Sequence, residues 1–144
     1  MKRLFAAMTL LAIVFTTSSF AADIKTTEVL ATFHNTFKYA KNVNFIEVNN
    51  MLKITFTEDS KSYIAYYTAN GDLMGLSRLL SVSELPASLQ DQLKRKYRGY
   101  EISEVYTIEM EGRSQYYVAI SNETHQLILN SPGKKWMVFK KEKA

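Results

Sequence analysis

Pro86 and Gly99 bracket a stretch that reads as a short helix running straight into a strand. Leu85 precedes a proline, which disfavours helical geometry at that residue, and Pro86 suits the first helical position. Leu89, Leu93 and Tyr97 recur every fourth residue and so share one helix face. Gly99 supplies the expected stop. Ile102 to Met110 then alternates as a strand, with Ile102, Tyr106, Ile108 and Met110 on one side. A helix that must bury one face beside strands that must bury one face leaves few architectures open.

The rest of this half continues in strands. Glu111-Gly112-Arg113 is a turn, and Tyr116, Val118 and Ile120 alternate after it. Asn122 to His125 turns, Gln126 to Asn130 extends, Pro132-Gly133 turns again, and Trp136 to Phe139 is the expected last strand. The lysines that follow read as a solvated tail.

An earlier stretch follows the same plan with different letters. A helix is expected over about Thr27 to Lys41, with Leu30, Phe33 and Phe37 on one face, Thr26 or Thr27 as cap, and Lys38 and Lys41 near its negative end. Strands follow at 43–48, 52–57, 62–68 and 73–80, with turn signals at Asn49-Asn50, Glu58 to Lys61 and Asn70-Gly71-Asp72. The two stretches, about 26–80 and 83–140, are expected to be repeats of one α-β(3-4) unit. The predicted class is α+β: an antiparallel sheet with two helices packed on one face and the other face open.

The amino end carries an export pattern. Lys2 and Arg3 precede an apolar run from Leu4 to Phe15, and Ser19-Phe20-Ala21 offers small residues for cleavage after Ala21. Residues 1–21 are therefore expected to be a cleaved signal peptide and 22–144 a single domain, periplasmic or secreted, without a membrane span. Lys2 and Arg3 leave with the leader, so the net charge of +4 falls to a small positive balance. That gives little support to a nucleic-acid partner, and none is expected. With no cysteine there is neither disulfide nor thiol chemistry.

Leu85-Pro86, the helix end Lys94-Arg95-Lys96-Tyr97 and Gly99-Tyr100-Glu101-Ile102-Ser103-Glu104-Val105 resemble the PepSY-like, β-lactamase-inhibitor-like proteins of bacterial periplasms. Their usual pattern is Leu-Pro, a helix, Lys-Tyr-Pro-Gly and an extended Ile-x-x-Val strand. Arg98 stands where that pattern commonly has proline. The likeness covers about 83–140, and the first half shares only the pattern. It implies tandem helix-and-strand units that bind or inhibit other proteins.

No enzyme is expected, and no cofactor or metal. His34 and His125 have no acidic or imidazole neighbour at ligand spacing and read as solvated. Glu109 and Glu111 read as surface beside a turn. No nucleophile elbow, zinc-protease or phosphate-loop motif occurs. The nine tyrosines are the better lead, because a rigid ring with a polar tip suits protein contacts. Tyr63 and Tyr67 share a strand face, and with Tyr117 they form the expected docking residues on the open side of the sheet. The expected function is a monomeric, non-enzymatic module that docks an unidentified envelope protein or peptide there. A small-ligand or envelope sensor is the alternative.

Overall fold

A computed structural model describes residues 25–144. The expected leader and its cleavage point lie outside the described residues. The expected α+β class is what the chain adopts: among the described residues, an eight-stranded sheet whose strands follow sequence order, with two α-helices. The chain divides into two compact units, one ending at Arg78 and one starting at Leu79, with the turn at 109–112 assigned to the first.

In the first unit α1 spans Thr26–Thr36, followed by β1 (Lys41–Val48), β2 (Met51–Glu58), β3 (Lys61–Thr68) and β4 (Leu73–Leu80). Helix α1 stops five residues before the expected end at Lys41. Phe37 caps it, its N–H donating to the Phe33 carbonyl, and Lys41 already belongs to β1. Neither Lys38 nor Lys41 therefore serves the helix terminus. Neither threonine caps the start either: Lys25 is the cap, and the Thr26 hydroxyl donates instead to the Glu47 carboxylate on β1.

Antiparallel register sets which faces meet the helix. Leu52 lies opposite Tyr67, Ile54 opposite Ala65 and Phe56 opposite Tyr63. All six join the core built around Val29 and Phe33 of α1. Phe33 makes edge-on contacts with Phe56 at 5.0 Å and Tyr67 at 6.4 Å, and Phe37 lies 4.8 Å from Phe56. Directly opposed residues on antiparallel strands project to the same side, so these pairs act as one sheet surface under the helix. Burying one such side chain contributes about 1.5–3 kcal/mol.

The second unit begins with a 3-10 turn at Val82–Glu84. The Glu84 carboxylate accepts from the Ser81 N–H at 2.8 Å, which fixes the linker before Leu85. Leu85 is extended, as the following proline requires. Helix α2 spans Ala87–Lys96, with Pro86 at the cap position rather than the first helical one. Its end differs from expectation. Tyr97 caps the helix, Tyr100 N–H closes a turn onto the Tyr97 carbonyl, and Gly99 has no positive φ. The stop thus comes from the aromatic turn, not from left-handed glycine.

Strands β5 (Glu101–Met110), β6 (Arg113–Ser121), β7 (His125–Ser131) and β8 (Met137–Lys143) follow. Leu85, Leu89 and Leu93 pack on Val105, Val118, Ile120, Leu127 and Leu129. Two expectations fail at the carboxyl end. Trp136 is not in the last strand but buried beside α2 in this core. The lysines are not a tail: Lys140, Lys141 and Lys143 lie inside β8, paired with Ile128, Leu127 and His125 of β7.

Three hairpin turns have two residues each, all with positive φ: Asn49-Asn50, Asp59-Ser60 and Glu111-Gly112. That geometry matches the twist of the strands it joins. Among the described residues no helix is long and apolar enough to cross a membrane.

Candidate docking face

Alternation along β6 sends Val118 and Ile120 to α2 and Tyr117 and Ala119 to the other side. On that other side Tyr117 stacks flat against Tyr106 of β5, with ring centres 5.4 Å apart and planes within 4°. Phe139 of β8 meets Tyr117 edge-on at 5.7 Å and 89°. Asn130, the cross-strand partner of Tyr117, offers it a side-chain hydrogen bond and donates its own amide to Gln115 at 3.3 Å. Three rings from three strands therefore form one rigid layer with a polar edge.

Exposure is graded across this layer. Tyr106 and Tyr117 are nearly buried, Tyr117 at 6%. Phe139 at 42% and Met137 at 52% are accessible. The direct pairing of Met137 with Asn130 puts Met137 on the same side. A Lys140–Glu142 ion pair at 2.6 Å lies along the same strand. Burial pushes the Tyr117 phenol above its ordinary value, and the Asn130 hydrogen bond opposes that rise. The phenol thus stays neutral, a donor and acceptor rather than an anion, through the physiological range.

The structure does not gather the expected trio of tyrosines. Tyr67, 1% exposed, packs under α1 against Phe33. Tyr63 is half-buried on the same helix side, stacked on Phe56 at 5.4 Å. Both sit on the helix-covered face of the first unit, whereas Tyr117 is on the side of the second unit's strands away from α2. Alternation correctly put Tyr63 with Tyr67, but it cannot say which face a helix will cover. The pairing with Leu52, Ile54 and Phe56 decides that. Phe139 and Tyr106 were missed as site residues. The sequence signal for Tyr106 was its even spacing with Ile108; Phe139 was obscured by the lysines after it.

Among the described residues no group of three His, Cys, Asp or Glu could hold a metal ion. His34 lies edge-on to Phe33, and the His125 ring shares a 2.8 Å hydrogen bond with the Thr124 hydroxyl. Glu109 and Glu111 are exposed.

An antiparallel sheet with one helix per group of four strands defines the class of protein. Within it, the chain has the BLIP-like fold. It matches a BLIP-like protein from Bacteroides fragilis NCTC 9343 at 12% identity and a TM-score of 0.68, over 88% of this chain and 90% of that one. A DUF2874 family protein from Bacteroides uniformis ATCC 8492 matches at 12% identity and 0.69, over 86% and 90%. A structure from Bacteroides eggerthii DSM 20697, which carries a provisional periplasmic description, matches at 11% identity and 0.69, over 87% and 90%. No family model matches the chain, and no curated protein does.

Proposed function

We propose that this chain is a non-enzymatic binding module of the periplasm that docks a protein or peptide on the sheet side opposite α2. The carrying observation is the Tyr106–Tyr117–Phe139 layer, which offers stacked aromatic area ending in exposed Phe139 and Met137. Rigid aromatic anchors of this kind concentrate binding energy at protein interfaces. The export pattern of the amino end and the periplasmic description of a fold neighbour support the compartment. The BLIP-like description of another supports a protein-binding role. Of the three tyrosines expected at the site, Tyr117 holds that role and Tyr63 and Tyr67 act as core.

The test is comparative capture from periplasmic extract. Met137→Ser with Phe139→Ser removes accessible apolar area without touching either helix core. Recovery of a specific partner should fall at least tenfold while the melting temperature stays within a few degrees. Undiminished recovery by the folded double variant overturns the reading.

A further inference from the structure

We infer that β8 is a docking edge for an extended acidic peptide segment, which adds to the sheet as a further strand. It goes beyond the face reading, because it uses backbone and charge at the rim rather than aromatic area.

Among the described residues strand β8 ends the sheet order, so one side of it pairs with β7 and the other has no ladder partner. An extended chain laid beside it meets alternate outward N–H and C=O groups. Side-chain chemistry selects the occupant. Lys140, Lys141 and Lys143 lie in the strand, Lys134 and Lys135 just before it. Its single acid, Glu142, is already engaged by Lys140 at 2.6 Å. Lys141 and Lys143 are exposed. Cross-strand neighbours of opposite charge attract and like charges repel. A second copy of β8 would set lysine against lysine if parallel and apolar residues against lysine if antiparallel, whereas an acidic segment meets complementary charge.

The apolar half of the edge adds to this. Met137, Val138 and Phe139 are 52%, 56% and 42% exposed, and they precede the lysines. An antiparallel occupant therefore has acidic residues first and apolar residues after. The opposite edge, β1, lacks the bias, because Lys41 and Glu47 balance there.

The experiment uses the full chain from residue 22 and two synthetic eight-residue probes, one Asp/Glu-rich then Val/Ile-rich, the other with Lys in place of the acids. Binding is read by NMR titration with amide exchange. The acidic probe should slow exchange in β8, and its affinity should fall at least tenfold in Lys141→Glu with Lys143→Glu. Lys141→Gln with Lys143→Gln should give an intermediate loss, and the charge-reversed protein should gain the lysine probe. Equal binding of both probes overturns the inference, as does protection outside β8. So does self-association through β8, or adsorption to phosphatidylglycerol vesicles without binding of the acidic probe.

Discussion

The two helices are fastened in different ways. Helix α1 rests on rings: Phe33, Phe37, Phe56, Tyr63 and Tyr67 interlock, and the Thr26 hydroxyl adds a polar tie to Glu47 at the exposed rim. Helix α2 rests on leucines and is also clasped by hydrogen bonds. The Trp136 indole N–H donates to the Leu89 carbonyl at 3.0 Å, and Trp136 backbone N–H donates to the Gln92 side chain at 3.0 Å. Gln92 returns a bond to the Lys134 carbonyl at 2.8 Å, and Gln90 holds the Leu85 carbonyl at 2.7 Å. Apolar contact is non-directional and tolerates small slides, whereas hydrogen bonds fix one position. The second unit should therefore hold its helix in a narrower register than the first.

Truncation probes the contrast most strongly. Trp136→Ala and Phe33→Ala should each destabilise by about 3–5 kcal/mol, measured by urea unfolding. Equal values would leave the clasp unproven, so the next variant isolates it. Trp136→Phe keeps most of the apolar bulk but removes the indole donor, leaving the Leu89 carbonyl only its helical bond, for a loss of about 0.5–1.5 kcal/mol. A loss below that range would mean the indole hydrogen bond adds little. Gln92→Ala opens the loop side of the clasp and should take away about 1 kcal/mol, while amides of α2 exchange faster and those of α1 do not. Matching acceleration in both helices would erase the distinction.

Tyr67→Phe sharpens the picture on the aromatic side. The Tyr67 hydroxyl is buried, and Thr36, the side chain set against it, also donates to the Thr32 carbonyl. Burial pushes this phenol up, with Thr36 opposing. A phenol that holds its proton longer when folded gives stability that is whole below about pH 10 and drains as pH rises past it. Tyr67→Phe should be nearly neutral at pH 7 and should move alkaline unfolding, followed by circular dichroism, to higher pH. An unmoved alkaline midpoint would assign the transition to other groups, Tyr97 and Tyr117 among them. The smallest effect is expected at Ser60, which holds φ 62 without being glycine. Ser60→Gly should stabilise the first unit by about 0.5 kcal/mol, seen as a rise in melting temperature.

Much of this architecture was legible in residue spacing. Leu89 and Leu93 announced the buried side of α2, and Asn49-Asn50 and Glu111-Gly112 announced hairpins. Three things were not. Alternation in β3 grouped Tyr63 with Tyr67 but not with Phe33, because that pairing joins positions distant in sequence through the register of β2. Trp136 read as strand because aromatic residues favour strands, yet its indole finds a helix carbonyl forty-seven residues away. The lysines of β8 read as solvated because charge hides a strand whose apolar neighbours lie across the ladder in β7. The Tyr106–Tyr117–Phe139 layer was partly legible for the same reason: Tyr117 stood out, but its stacking partner lay on another strand.

The two-residue turns carry a consequence for how the molecule is made. Where strands are joined to sequence neighbours by such short connections, as in β1 to β3 and in β5 to β6, little chain must be corralled before contacts accumulate, so these hairpins should assemble rapidly for a protein so rich in strands. A polypeptide delivered amino end first through a narrow exit can zip hairpin onto hairpin as it emerges, without waiting for its distant end.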